Sequence, residues 1–597
     1  MPLFIEELTK AVLETGLLRE RDDQYVLSRP LPSMAIPTTL NASLMARLDR
    51  LAPVKEVAQI GAVVGREFSY ELLSAVAGLS NARLDEALAQ LVRSELVFCR
   101  GEVPEAVYTF KHTLVRDAAY SGLLKSRRAA LHATIADAFE KRFPEIVEAQ
   151  PETLAYHLTE AGLFEEAGAY WLKAGKRTAK RSANLEAIAH SHRGIEASGH
   201  LPDGARRDRV ELDFQLVLGP CLIATQGPAS NQALATFARA HELCERLGDP
   251  PEHLQVMFWL ATASVIRGEL PVADESVAAL LQLAEARGDR PALLNAMRGQ
   301  GMIRLFMGRL TGAYEVIERA FEAFEASSEQ DRLAARAAGQ DAGVADLALM
   351  SWALWLLGRA DTALARLDAA IQRADAISHP HSQAYACYYA SILHALRGEF
   401  LTAHRYAERC LALSEEHGFR QWRGLARAVR GISATFLDPS SAVLAEIRTA
   451  MNEYRGAGYQ LGITALYVLL SPALLSSHQC EATLELIEQG LATTSRNSER
   501  IFEAELYRLK ARVLLFRGVP EAGTEAQSLL DHALTTARSQ HAKALEVRVA
   551  IDLAALWIDQ GRREEALNLL APIYARFTEG FETQDLKQAK ALLDRLQ

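Results

Sequence analysis

One spacing recurs along this chain and limits what it can fold into: a glycine, an apolar residue two positions later, and an alanine five positions later. Gly162/Phe164/Ala167, Gly268/Leu270/Ala273, Gly308/Leu310/Ala313 and Gly398/Phe400/Ala403 are clean copies. Gly358/Ala363, Gly561/Ala566, Gly518 with Gly523 in the alanine place, Ser477/Ala482 and Leu437/Ala442 are looser ones. From Gly268 onward the intervals are 40, 50, 40, 39, 40, 41 and 43 residues, so the period is near 40. A small residue stands seven before the glycine in most copies (Ala155, Ala261, Gly301, Ser351, Ser391, Ala511, Ala554). Another stands seven after the alanine in several (Ala174, Ala320, Ala370, Cys410). Small side chains at one level of two helices let their backbones approach, and a glycine between them supplies a left-handed turn. Each unit therefore reads as helix, turn, helix. Such a unit buries its apolar face only against its neighbours, which makes the whole a stack. The ten extra residues between Gly308 and Gly358 are expected in the polar stretch 326–343, as a longer loop or a helix extension.

The repeat accounts for most of the length. At roughly 150 residues per domain, 597 residues would otherwise suggest about four modules. A net charge of −10 with interspersed signs argues against a general binder of nucleic acid or acidic membranes. The six cysteines show no CxxC spacing and read as reduced, mostly buried thiols of a cytoplasmic protein. The N-terminus has no basic segment leading into an apolar one, so it is not a secretory signal. The uncharged stretch 456–477 is long enough to span a bilayer. It contains Gln460, Ser471 and Pro472 and falls in phase with the repeats, so a buried helix with a turn is expected and no membrane partner.

The first 150 residues behave differently. A first helix is expected at about 3–15, followed by a break at Pro30, Pro32 and Pro37. Helical stretches near 40–51, 54–63, 70–77 and 82–93 precede two β-like runs, 96–100 and 107–110. Helices followed by a small hairpin make a winged-helix pattern. The expected fold class is mainly α: a small winged-helix domain followed by a helical solenoid.

The small-residue and Gly-x-aromatic-x-x-Ala positions resemble the tetratricopeptide repeat (TPR), with a period above the usual 34 and with its closing proline missing from most copies. A second resemblance rests on Pro2-Leu3-Phe4-Ile5-Glu6-Glu7-Leu8, Ile36-Pro37-Thr38-Thr39-Leu40, Ser43-Leu44-Met45-Ala46-Arg47-Leu48-Asp49 and Gly61-Ala62-Val63-Val64-Gly65-Arg66-Glu67-Phe68. Tyr108-Thr109-Phe110-Lys111-His112 with Asp117-Ala118-Ala119-Tyr120 completes it. These segments look like those that follow the ATPase core in bacterial signal-transduction ATPases with numerous domains, in particular proteins that join a class III adenylate/guanylate cyclase, an AAA-like ATPase and TPR-like repeats. The match covers residues 2 to about 200, and the remainder follows by architecture. It implies residues 1–36 as the end of an ATPase module, 37–147 as a winged helix and 148–597 as TPR-like repeats. It also implies that the phosphate-binding loop, the metal-binding acidic residue and any cyclase domain would lie before residue 1.

Nucleotide hydrolysis needs a Gly-rich loop for the phosphates, a lysine and an acidic residue for Mg²⁺. The sequence has no GxxxxGK[ST], so no cofactor is expected for this chain alone, and ATP or ADP only together with an upstream ATPase module. By resemblance, Pro2 and His112 are the candidate remnants of a nucleotide site. His112 equally reads as a capping or packing residue between the hairpin and the next helix. The winged helix's presumptive recognition helix, 84–93, carries Asp85 and Glu86 against one arginine, which argues against DNA. The basic run Lys173, Lys176, Arg177, Lys180 and Arg181 reads as a solvated face or a contact for an acidic partner. His190/His192 and His379/His381 are HxH pairs, but residues two apart on a helix do not face one another, and the second pair straddles Pro380 in an expected loop. No catalytic residue and no metal site are expected.

The chain thus reads as a non-catalytic regulatory or scaffold protein that binds a protein, peptide or effector on the concave face of the repeats, with an upstream ATPase/cyclase module as a further partner. The alternatives are the C-terminal part of an ATP-binding cyclase and a winged-helix transcription regulator.

Overall fold

The computed structural model describes residues 18–21, 24–27, 44–45, 47–49, 52–336, 339–436, 441–518 and 522–596. The expected first helix at 3–15 and Pro2 lie outside the described residues. The chain divides into two units, Met1–Cys221 and Leu222–Gln597. No described helix is long and apolar enough to cross a membrane.

In the first unit β1 (Leu18–Arg21) and β2 (Gln24–Leu27) form an antiparallel hairpin that the sequence reading does not contain. There follow α1 (Ala52–Val64), β3 (Glu67–Ser69), α2 (Tyr70–Val76), α3 (Asn81–Arg93), β4 (Val97–Arg100), β5 (Val107–Phe110) and α4 (Thr113–Ser121). The two β-like runs are strands, and a third, β3, joins them in the order β3-β5-β4. Its Phe68 explains the neighbouring glycine: a Cβ on Gly61 would stand 2.7 Å from the Phe68 ring, so α1 and the sheet pack with nothing between them. On α3, Leu84, Ala87, Leu88 and Leu91 are buried, and Arg83, Asp85, Glu86 and Arg93 are exposed. The exposed face therefore has two charges of each sign.

Next come α5 (Lys125–Arg142), α6 (Pro144–Ala149), α7 (Pro151–Ala161), α8 (Phe164–Lys180), α9 (Asn184–Ser198) and α10 (Ala205–Gln226), within which the division between units falls. The first repeat copies pack on the N-terminal block: Ala155, Ala167, Trp171 and Phe214 share one core with Leu44, Val57 and Phe110.

The second unit is mainly α, a TPR-like array of antiparallel helix pairs. It contains α11 (Asn231–Arg246), α12 (His253–Ile266), α13 (Leu270–Arg287), α14 (Arg290–Phe306), α15 (Leu310–Glu325), α16 (Glu329–Arg336), α17 (Ala342–Leu356) and α18 (Ala360–Ile377). The remainder are α19 (Pro380–Leu396), α20 (Phe400–His417), α21 (Arg420–Thr435), α22 (Ser441–Gly456), α23 (Ile463–Ser476), α24 (Cys480–Asn497), α25 (Glu503–Arg517), α26 (Ala522–Ser539), α27 (Lys543–Asp559), α28 (Arg563–Tyr574) and α29 (Gln584–Leu596). The insertion after Gly308 is the short helix α16, and the uncharged stretch is the buried helix α23 with the turn before it.

The turn glycines Gly268, Gly308, Gly358, Gly398, Gly518 and Gly561 have φ between +65° and +86°, a conformation costly for any residue with a Cβ. Two looser copies shift. In the copy assigned to Ser477, His478 holds the left-handed position (φ +57°) and Thr483, 1% exposed, takes the alanine place. After Gly518 the wholly buried residue is Ala526, not Gly523. The Leu437/Ala442 copy lies outside what is described of that turn.

The small residues sit where helices cross. A Cβ on Gly301 of α14 would lie 2.3 Å from Ile317 Cγ1 of α15. Gly301→Ala is therefore expected to destabilise the second unit by about 1–3 kcal/mol through overpacking. Gly523→Ala, whose Cβ meets nothing within 4 Å, should instead gain about 0.5 kcal/mol. Denaturant melts of the two variants check the contrast; equal effects would show that the crossing is not close-packed.

The array winds back on itself after about five hairpins, as a superhelix of short repeats can. Ile266 O accepts hydrogen bonds from Gln460 N (2.9 Å) and Leu461 N (3.2 Å), and Phe306 O accepts from Arg500 N (2.8 Å) and Ile501 N (3.0 Å). The Glu579 carboxylate caps the start of α18, accepting from the N–H groups of Asp361 (3.1 Å) and Thr362 (3.0 Å). Successive turns thus touch, and the first helices of the hairpins fill the interior. Every residue of α17 is buried, as are most of α19 and α23. The continuous inner surface expected from the repeats is present, but along these helices it is packed against itself and is not an open groove.

Candidate functional site

The residues singled out in the sequence are dispersed. His112 is half-buried at the N-cap position of α4 and makes no side-chain capping bond there, and Pro2 lies outside the described residues. The basic run is partly consumed within α8. Lys173 pairs with Glu148, and Arg177 pairs with Glu152 at 2.9 Å, while Lys176 and Lys180 are exposed. His379 and His381 are not in a loop: Pro380 takes the first position of α19, where its missing N–H costs nothing, and His379 is the N-cap. That correction places His381 in the wall of a cavity.

The cavity, of about 390 Å³, lies inside the second unit. Four helical faces supply most of its wall, with Ile223 and Ala224 of α10 and Val277 and Leu280 of α13 completing it. On α14, Asn295, Arg298, Gly299, Met302 and Phe306 recur at three- and four-residue spacing, and so do His381, Tyr385, Tyr388 and Tyr389 on α19. Phe258, Trp259 and Thr262 come from α12, Phe419 precedes α21, and Arg420, Trp422 and Leu425 lie on it. Tyr459 and Leu461 close it from the turn before α23, which the bonds to Ile266 hold in place. The rings brace one another: Tyr385 stacks on Tyr389 at 4.6 Å, and Trp422 meets Tyr385 edge-on at 5.4 Å.

The polar groups are less well served. Trp422 Nε1 donates to His381 Nε2 (3.0 Å), so the neutral ring carries its proton on Nδ1, and Nδ1 has no partner. Burial, with His379 and Arg298 nearby, pushes the His381 imidazole down to about 4, so it stays neutral. Asn295 Nδ2 donates to Ala335 O (3.2 Å), which fixes the amide orientation and leaves Oδ1 without a partner. Arg298 is 7% exposed, and its Nη1 has no hydrogen-bond partner. Among the described residues no carboxylate pairs with it. The wholly buried Asp346 lies close enough to act on Arg298, but no ion pair joins the two: burial pushes its carboxyl up, Arg298 works against that, and Asp346 Oδ1 has no hydrogen-bond partner either.

Buried polar groups in native proteins are nearly always satisfied, because an unmet one costs ~1–3 kcal/mol and a charge more. Four unmet groups, the Tyr385 hydroxyl being the fourth, around one aromatic cavity within the usual 300–1,000 Å³ range for ligand pockets mark it as the candidate site. The sequence reading missed Arg298, Asn295 and the aromatic wall, since rings on an apolar helix face read as core. The available signal was an arginine in phase with Gly299 and Met302 on such a face.

No family model matches the sequence. Over 569 residues the chain is 24% identical to an uncharacterised protein of Rhizobium meliloti, the match taking in 94% of this chain and 54% of that protein. The chain thus spans about half the length of the curated relative it matches. Similar solved structures include a signal-transduction ATPase with numerous domains and a tetratricopeptide repeat sensor, from Pyrococcus horikoshii (12% identity, 86% of this chain and 70% of that one, TM-score 0.36). A Rap protein complexed with competence and sporulation factor gives 13% identity, 72% and 99% coverage and a TM-score of 0.35. The Cut9–Hcn1 hetero-tetramer gives 12%, 80% and 90%, and 0.38. Values this low leave the fold to be read from the helices of this chain.

Proposed function

We propose that this chain is a non-catalytic regulatory protein that takes an effector in the interior of its TPR-like array and answers to a protein partner. The observation that carries the reading is the aromatic cavity whose Arg298, Asn295 and His381 have unmet polar atoms. Because α12, α14, α19 and α21 all line it, an occupant would bear on the contacts between successive turns of the array. That is a physical route from binding to a change in the outer surface. By resemblance, residues 37–147 serve as a winged-helix hinge, 1–36 as the end of an ATPase module and 148–597 as the sensor, in the manner of cyclase–ATPase–TPR signalling proteins. The three-stranded sheet behind α1–α3 supports the hinge assignment.

Two measurements test the proposal. A thermal-shift screen with neutral, cationic and anionic ring compounds should find at least one class that stabilises the chain, with the effect lost when Met302→Trp fills the cavity. No stabilisation by any class would overturn the effector reading. The isolated chain should neither hydrolyse ATP nor form cyclic nucleotides. Turnover abolished by His112→Ala would replace the non-catalytic reading with the ATP-binding one.

A further inference from the structure

The effector reading leaves the ligand open, and the lining narrows it. In a chain of net charge −10, the cavity is lined by two arginines, Arg298 and Arg420, and by no aspartate or glutamate among the described residues. Arg420 is exposed at the first turn of α21 and adds positive potential. Arg298 is enclosed, 7% exposed, with its Nη1 unmet. A guanidinium taken out of water with no carboxylate paired to it is costly, and the group that best restores its interactions is a carboxylate or similar anion held by two parallel N–H donors. Three residues earlier on the same face, Asn295 Oδ1 has no donor to accept from. His381 Nδ1–H, across the cavity on α19, has no acceptor. Around these groups the wall is flat and apolar: Trp259, Phe306, Tyr385, Tyr388 and Trp422.

Resting on the effector reading, we propose that the cavity binds a small aromatic carboxylate that also carries an N–H or O–H donor. Its ring lies among Trp259, Tyr385 and Trp422, its anion on Arg298, and its donor on Asn295 Oδ1. The volume of about 390 Å³ suits one ring-bearing acid and not a folded segment or a long peptide.

The test uses the full chain and three probes of one shape: 6-hydroxy-2-naphthoic acid, its carboxamide and its aminomethyl counterpart, with affinities read by calorimetry. The acid is expected to bind at least ten-fold more tightly than the amide, with the amine weakest. Arg298→Met should abolish the preference for the acid, and Arg298→Lys should keep part of it. The same Arg298→Met chain, without probe, should melt at or above the wild type, because the change removes a buried charge that has no ion-pair partner. A structural arginine would instead leave the variant less stable, and that result would overturn the proposal. If the amide or amine binds as well as the acid, the anion assignment fails while the effector reading stands. If none of the probes binds and the broader screen finds nothing, both fail.

Discussion

Replacing Arg508 with methionine should cost the second unit about 3–5 kcal/mol, the usual consequence of leaving a buried carboxylate without its partner. Arg508 is held by Glu505 through two bonds (Nη2 2.6 Å, Nε 2.8 Å) and by Asp552 through Nη1 (2.6 Å). Both Glu505 and Arg508 are buried. Burial alone would push the Glu505 carboxyl up, but Arg508 and Arg548 overcome it and hold it at about 2. Arg548 extends the network to Asp585 (2.9 Å), donates to Leu396 O, and lies over the Trp355 ring at 5.2 Å. One cluster therefore ties α25, α27 and α29 to the end of α19 and to α17, which is where successive turns of the array close on each other. Losing Arg508 leaves Glu505 with one long bond from Arg548 (3.4 Å) and the charge of Arg512. The double variant Glu505→Leu/Arg508→Met should recover most of the loss, since Asp552 is partly exposed and can be solvated, and Arg548 keeps Asp585. Denaturation followed by tryptophan fluorescence reads the effect. A loss below about 1 kcal/mol for the single variant would mean that the cluster is no more than a surface ion pair.

That closure also marks the limit of what the sequence discloses. The glycine and alanine of each hairpin are legible because local geometry demands them: only glycine takes the left-handed turn cheaply, and only a small side chain fits where Ala273, Ala313, Ala363 and Ala403 are wholly buried. Where another residue can meet the demand, as His478 and Thr483 do, the pattern blurs by a residue. The return of the chain after about five hairpins has no local signature, because Ile266 and Leu461 meet through backbone atoms that carry no residue identity. The candidate site inherits that blindness. Arg298, Tyr385 and Trp422 come from three different hairpins, and each alone is compatible with a core position. His381 was visible as half of an HxH pair, but the metal logic of that pair points away from its neighbour Trp422.

In the first unit the largest expected effect is a loss of stability in mild acid. His132 of α5 and His157 of α7 are 0% and 1% exposed and share a hydrogen bond between their Nδ1 atoms at 2.8 Å. One ring must donate and the other accept, so the two cannot both be protonated while the bond holds. The Tyr120 hydroxyl lies 3.2 Å from His132 Nε2 and takes up the remaining ring nitrogen. Burial, with Arg128 adding to it, pushes His132 down to about 4; burial, with His132 adding to it, pushes His157 down to about 3. In the unfolded chain both titrate near 6.5. Below that pH the unfolded state binds protons that the folded state refuses, so stability is complete above about 6.5 and drains away as the pH falls toward 4. For His132 alone the shift corresponds to about 3 kcal/mol by the time its folded value is reached, and His157 adds to the same slope. Melting of the first unit, followed through Trp171, should therefore drop steeply between pH 6.5 and 4. The double variant His132→Gln/His157→Leu, which has nothing to protonate there, should be less stable at pH 7.5 but clearly flatter over the same range, with the half-buried His190 left to titrate. A wild-type profile that stays level to pH 4.5, or an unchanged slope in the double variant, would show that this pair is not what acid attacks. The first repeat copies share their core with the N-terminal block, so loosening α5 from α7 in acid should lower the stability of both in one transition.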